Sequence, residues 1–130
     1  MNEWDDAVHE DRLKEMLRLQ AELQERLYGK EPIDLEGNER KDYVRTMVLA
    51  ITDELHEALR EVPWKPWSGS TLWDKDSEIN FKLELVDAFH FFMNLMLVAG
   101  MTAEELFTEY LRKNQINHGR IDDDYSSPTG

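Results

Sequence analysis

The stretch LELVDAFHFFMNLMLVAG, residues 83–100, constrains the fold of this chain more than any other segment. A helix is predicted over Ser77–Ala99, and its apolar residues cover most of its circumference, so nearly every side of it needs a packing partner. Two carboxylates, Glu84 and Asp87, lie one turn apart in the middle of this helix. Because an unpaired buried carboxylate is costly, we expect these two acids to have a specific partner.

Three further helices are predicted from apolar residues that recur every three or four positions. The first runs from about Asp6 to Tyr28, the second from about Arg40 to Glu61, and the last begins at a capping box formed by Thr102 and Glu105. We expect three buried stripes: Leu13, Met16, Leu17, Leu23 and Leu27 in the first helix, Val44, Met47, Val48, Ile51, Leu55 and Leu59 in the second, and Leu106, Phe107, Tyr110 and Leu111 in the last.

The expected fold class is all-α, a bundle of about four main helices, because no long alternating run or hairpin turn competes. With 130 residues the chain is expected to form one domain over residues 1–130, with residues 117–130 as a polar C-terminal tail ordered on substrate binding. In a four-helix monomer the other helices are too few to cover the apolar circumference of helix 77–99, so a homodimer or homotetramer is expected. The alternative is that this helix is the central helix of a monomeric bundle.

The charge balance restricts the partners of the chain. It carries 28 acidic and 15 basic residues, a formal charge of −13, which repels a nucleic-acid polymer and suits a bound divalent cation. The chain has no cysteine, and its longest apolar run falls short of the roughly 20 residues that a membrane span needs. Its first residues are acidic, unlike a signal peptide. A cytoplasmic protein without a membrane partner is therefore predicted.

Paired acids on consecutive helices indicate a metal site. Glu54 and Glu57 are three residues apart in TDELHEALRE, as are Glu84 and Asp87 in the next helix, so each pair projects to one side. If the two helices pack antiparallel, four carboxylates converge and repel unless a cation joins them. Oxygen ligands of this kind favour Mg²⁺, with Mn²⁺ as a substitute. The alternative is that the acids are separate, solvated charges.

Donor-bearing residues that suit a phosphate follow in RKNQINHGR: Lys113, Asn114, Asn117 and Arg120. The alternative for this run is a helix C-terminus whose cations complement the helix dipole. Lys65 lies between Trp64 and Trp67 in a loop that could stack on a base. His90 and Asn94 follow Asp87 on the same side of its helix, and their roles stay open between ligand binding and ordinary hydrogen bonding within the fold.

Together, the segments DELHE, VPWKPW, ELVDAFHFFMNL and RKNQINHGR resemble the all-α nucleoside triphosphate pyrophosphatases, the MazG-like and dimeric dUTPase superfamily, over about residues 13–125. The resemblance is to the dimeric dUTPase branch in particular. It implies metal-dependent hydrolysis of a nucleoside triphosphate to the monophosphate and pyrophosphate, in a helical bundle whose active site is completed in a homo-oligomer. It also implies the following roles: Glu54, Glu57, Glu84 and Asp87 as metal ligands, Glu54 or Glu57 as the catalytic residue that holds or deprotonates water, Lys113, Asn114, Asn117, Arg120 and Tyr125 as phosphate-binding residues, and Gln20 as a base-contacting residue.

The remaining candidates come from the residues themselves: Lys65 for phosphate, and Trp64, Trp67 and Asn94 for the base. The resemblance implies dUTP as the leading substrate. Gln24 stands where dUTPases tend to carry Asn or Asp, and the tail reads RIDDDY, so a purine nucleotide, dGTP or dATP, is the alternative. An acidic helical interaction protein without catalysis is the alternative from another class.

Overall fold

The computed structural model describes residues 11–69 and 71–124, and in these ranges the chain forms helices and no strand. The elements are α1 (Arg12–Tyr28), a 3₁₀ helix (Pro32–Asp34), α2 (Gly37–Arg60), α3 (Lys75–Ala99) and α4 (Ala103–Asp124). The predicted all-α class with four main helices is therefore confirmed.

Side-chain caps and left-handed glycines set most of the helix ends. The carboxylate of Asp11 accepts a hydrogen bond from the Lys14 amide at 3.0 Å and so begins α1, whose predicted start at Asp6 lies outside the described residues. Gly29 ends α1 with a φ of 83°, as predicted. Asp74 caps α3 in the same way as Asp11 caps α1, and Thr102 accepts from the Glu105 amide at 3.1 Å.

The helices α2 and α3 form an antiparallel pair. Arg40 near the start of α2 donates to the Val98 carbonyl near the end of α3, at 3.1 Å. Asn94 donates to the Met47 sulfur at 3.4 Å in the middle, and Glu54 lies beside Glu84 further along. The contact surface between α2 and α3, here called the seam, is therefore buried core in its middle and acidic further along, at Glu54 and Glu84.

Two small clusters of buried side chains form the core. One joins α1, α3 and the start of α4; its buried members are Leu17, Met93, Met96 and Ala103. The other joins the 3₁₀ segment, α2 and the end of α3; its buried members are Leu35, Tyr43, Met47 and Val98. The predicted loop between α1 and α2 thus contributes to the core, because Pro32 and Leu35 are both buried.

The predicted buried stripes are largely wrong for a single chain. Of the stripe predicted for α2, Met47 is buried and Ile51 partly so, whereas Val44, Val48, Leu55 and Leu59 are 36–48% exposed. α2 packs against α3 through one narrow face that includes Tyr43, Met47 and Ala58, and its other apolar residues face away from it. The exposed members of the other stripes are Met16, Leu23 and Leu27 in α1 and Phe107, Tyr110 and Leu111 in α4.

The polar tail was predicted to begin at residue 117, but α4 continues to Asp124. Residues 117–124 contain no proline, and their least favourable residue for a helix is Gly119. An α-helix tolerates a glycine at a cost of about 1 kcal/mol, so the helix continues through it. In the described ranges no single helix is long and apolar enough to cross a membrane. Only α3 taken together with α4 reaches that length and composition, across a bend of 101°.

Candidate active site

Three carboxylates from α2 and α3 meet at one point of the antiparallel seam. Glu54, Glu84 and Asp87 each offer one oxygen, and these oxygens all lie within 4.8 Å of one another. Glu54 lies two helical turns from Met47, and Asp87 two turns from Asn94, so the acids continue the faces that carry the buried core. The small buried residues Ala58 and Ala88 each lie one turn from an acid of this group, Glu54 and Glu84 respectively.

The cluster is electrostatically unfavourable without a cation. Burial of the carboxyl, a side-chain hydrogen bond with Glu84 and the charges of Glu57, Glu84 and Asp87 together raise the pKa of Glu54 to about 7. One oxygen of Glu54 and one of Glu84, both Oε2, are buried and have no hydrogen-bond donor among the residues that the structure describes. Buried oxygens of this kind are normally paired.

The residues fit a hard divalent cation. All the converging ligands are carboxylate oxygens, and Glu54 and Glu84 each have one buried oxygen without a hydrogen-bond partner among the described residues. This donor set suits Mg²⁺ or Mn²⁺ more than zinc. Asp87 is the exposed member of the group, so one side of the cluster is open to a ligand. Glu57 is not part of the three-acid group; it lies one turn further along α2, close enough for its charge to act on Glu54.

A groove between α1 and α3 adjoins the cluster. It has a volume of about 530 Å³, within the usual range for small-molecule sites. Its lining residues are Met16, Leu19, Gln20, Glu22, Leu23, Arg26, His90 and Met93. His90 follows Asp87 by about one helical turn, so the groove begins immediately beyond the acids.

A chain of polar side chains underlies this groove. His90 Nδ1 lies 2.9 Å from Gln20 Oε1, and Gln20 Nε2 donates to Asn94 Oδ1 at 2.8 Å. Asn94 is 1% exposed and Gln20 4%, so two predicted base-contacting residues lie mostly inside the protein. Sequence reasoning placed His90 and Asn94 on one helix face but missed this connection. The available signal was their four-residue spacing opposite a glutamine on another amphipathic helix.

In the single chain, those predicted phosphate-binding residues that the structure describes do not line the groove or belong to the three-acid group. Lys113, Asn114, Asn117 and Arg120 are on α4, and Tyr125 lies outside the described residues. Lys65 and Trp64 line a separate cleft at the end of α2, together with Arg60. Trp64 and Trp67 pack edge to face with ring centroids 5.8 Å apart, and Trp67 is largely exposed. The described residues therefore bring together three of the four predicted metal ligands and two of the base-contacting candidates.

A sequence profile of the family described as dUTPase matches residues 12–99, a range that contains the three acids and the groove. The chain is 33% identical to a dCTP pyrophosphatase of Enterobacteria phage LZ5, over 88% of this chain and 83% of the relative. It is 31% identical to a dCTP pyrophosphatase of Enterobacteria phage T4, over 94% of this chain and 88% of the relative. A DNA replication protein of Enterobacteria phage T4 is 31% identical over 86% of this chain and 36% of its own length. No solved structure matched the chain.

Proposed function

This chain belongs to the dUTPase family, and on that premise we propose that it hydrolyses a pyrimidine deoxynucleoside triphosphate to the monophosphate and pyrophosphate, with Mg²⁺ as cofactor. Family membership and the pyrophosphatase relatives make the chain a nucleoside triphosphate pyrophosphatase, so the predicted enzyme class is confirmed. The alternative of an interaction protein without catalysis is not retained.

The pyrimidine assignment rests on two sources. The sequence favours dUTP, and two relatives are named for dCTP; the two nucleotides share a single-ring base. The groove is lined by apolar side chains together with polar ones that include Gln20 and His90, which suits a flat base with polar edges.

The observation that carries the proposal is the three-acid group with two unpaired buried oxygens. We assign Glu54, Glu84 and Asp87 to the metal. A bound Mg²⁺ supplies neutralisation of the triphosphate charge and activation of a water molecule. Glu57 lies close to the group but outside it, and we assign to it the role of orienting or deprotonating the attacking water, with Glu54 as the other candidate.

The phosphate-binding role that we propose for α4 would require a second copy of the chain. α4 leaves the end of α3 at 101°, and helix geometry puts Lys113 roughly 25 Å from Glu84 in the same chain. Neither side chain spans that distance. We therefore propose a homo-oligomer in which Lys113, Asn114, Asn117 and Arg120 of one copy face the acids of another. The exposed apolar residues of α4, including Phe107, Tyr110 and Leu111, would be covered in the same contact.

The reaction class is tested by incubating the protein with Mg²⁺ and dCTP, dUTP, dTTP, dATP or dGTP, and measuring pyrophosphate separately from phosphate. We expect pyrophosphate, with a pyrimidine nucleotide turned over fastest. Release of phosphate alone would contradict the reaction class, and a preference for dATP or dGTP would contradict the pyrimidine assignment.

Variants test the acids. We expect Glu84→Gln and Asp87→Asn each to lower kcat at least a hundredfold, because each removes a charged metal ligand. Glu78→Gln, an exposed acid on the same helix, is the matched control and is expected to keep its activity. Equal effects at Glu78 and Glu84 would indicate a general charge effect and contradict the metal site.

A further inference from the structure

We propose that His90 determines the choice of base by accepting, at Nε2, a hydrogen bond from the exocyclic amino group of cytosine, and that a buried relay from Met47 fixes the required tautomer. The inference rests on the proposed function and deepens it, because it selects dCTP over dUTP within the pyrimidine class. Four side chains carry the argument, and each fixes the hydrogen-bonding role of the next.

The relay begins at a sulfur atom. A thioether can only accept a hydrogen bond, so the Asn94 atom that lies 3.4 Å from the Met47 sulfur has to be the amide nitrogen, as observed. This fixes the orientation of the Asn94 amide, and its oxygen is left to accept from Gln20 at 2.8 Å. Asn94 and Met47 are both almost fully buried, so water does not compete for these contacts.

The orientation of Asn94 is passed on to the imidazole. Because the Gln20 nitrogen donates to Asn94, the other end of that amide is the oxygen that faces His90 Nδ1 at 2.9 Å. An oxygen that accepts here requires a proton on Nδ1. In a neutral imidazole the remaining nitrogen, Nε2, then carries a lone pair and accepts.

The imidazole lies where a base would be read. His90 lines the groove together with the apolar side chains of Met16, Leu19 and Met93, and it follows the acid Asp87 by three residues on α3. Gln20 also lines the groove, but it is only 4% exposed and its amide bonds to Asn94 and His90, whereas His90 is exposed. His90 therefore meets the ligand, while Gln20, Asn94 and Met47 are positioning residues.

An acceptor at this position distinguishes the two pyrimidines. Cytosine carries an amino group at C4, which donates, whereas uracil carries an oxygen there, which repels a lone pair. A site that leaves a polar group unpaired rejects the wrong ligand strongly. The relay therefore links the orientation of the Asn94 amide in the core to a preference of His90 for cytosine over uracil in the groove.

The kinetic test compares kcat/KM for dCTP and dUTP with Mg²⁺ at about pH 8. His90→Leu removes the acceptor, and we expect the dCTP-to-dUTP ratio to fall about tenfold. His90→Gln supplies an N–H donor toward Gln20 and an accepting oxygen toward the groove. We therefore expect its dCTP-to-dUTP ratio to be close to that of the wild type. Met47→Leu keeps the core volume but removes the sulfur, and is expected to lower the ratio severalfold without touching the groove.

A second measurement does not depend on turnover. In the unliganded protein the ¹⁵N resonances of the His90 ring are expected to show a proton on Nδ1 and none on Nε2, with assignment by comparison with His90→Gln. Met47→Leu should shift this toward a mixture of tautomers. A proton on Nε2 in the wild type would overturn the relay.

The two proposals fail in different ways. If neither dCTP nor dUTP yields pyrophosphate, the proposed function is wrong. If both are hydrolysed and His90→Leu leaves their ratio unchanged, or lowers activity on dUTP more than on dCTP, only the assignment to His90 is wrong. An unchanged ratio in Met47→Leu would refute the relay and leave a direct role for His90.

Discussion

Replacing Glu54 by Gln should stabilise the metal-free protein while weakening its stabilisation by Mg²⁺. The wild-type carboxyl has its pKa raised from an ordinary value of 4.5 to about 7 by burial and by the acids around it. At 1.36 kcal/mol per pH unit, ionising this group in the folded protein costs about 3 kcal/mol at pH 8. Because the side chain is partly exposed, solvent screening reduces the expected effect to about 2 kcal/mol.

The sign of the effect follows from proton binding. Between about pH 4.5 and 7 the folded state holds a proton on Glu54 that the unfolded state has lost, so the free energy of unfolding falls as the pH rises through this window. Because a Gln side chain does not titrate, Glu54→Gln should not lose this part of its unfolding free energy as the pH rises. With an unfolding entropy of about 2.1 cal/mol/K per residue, 2 kcal/mol corresponds to a Tm difference of about 7 °C for 130 residues.

The assay is thermal unfolding in EDTA at pH 5 and pH 8, followed by circular dichroism, for the wild type, Glu54→Gln and the control Glu78→Gln. The wild type and the control should lose stability between pH 5 and pH 8 to the same extent, and Glu54→Gln should lose less. Adding Mg²⁺ at pH 8 should then stabilise the wild type more than Glu54→Gln. The reasoning is refuted if Glu54→Gln is destabilised in EDTA at pH 8, since that would mean the acids do not repel.

Three more predictions concern the metal, the relay and the oligomer. Mg²⁺ at a hundred times its Kd should raise the unfolding free energy by about 2.7 kcal/mol in the wild type and much less in Asp87→Asn, measured by urea denaturation. Gln20→Ala should cost about 2–3 kcal/mol, because it leaves Asn94 unpaired in the core; a cost below 0.5 kcal/mol in urea denaturation would contradict the relay. Glu84→Gln and Arg120→Ala, each inactive alone, should regain activity when mixed, and a mixture that stays inactive would argue against a site shared between copies.

Some parts of the candidate site could be predicted from the sequence and others could not. The spacing of Glu54, Glu84 and Asp87 predicted their convergence, because acids three apart share a face and consecutive helices tend to pack antiparallel. Glu57 shows the limit of that argument: it is three residues from Glu54, as Asp87 is from Glu84, yet it lies outside the group, because spacing along one helix does not give the distance to the facing helix.

The burial of the helices was harder to predict. Periodicity identified α2, but it does not say which part of a broad apolar face meets a partner within the same chain, and Val48 and Leu55 remain exposed. The length of α4 was missed because its second half is polar and contains Gly119, features that are typical of a tail. The relay through Gln20 and Asn94 was not predictable because it depends on the distance between α1 and α3, which no pattern in either helix specifies.

The seam between α2 and α3 couples ligand binding to local opening of the protein. Met47 and Asn94 hold its middle through core contacts, whereas two turns away the same seam is lined by like charges. In the absence of a cation that end of the seam should exchange its backbone amides with solvent more readily than the middle. Hydrogen exchange should therefore slow selectively around residues 54–60 and 80–87 when Mg²⁺ is added, while the amides near Met47 change little.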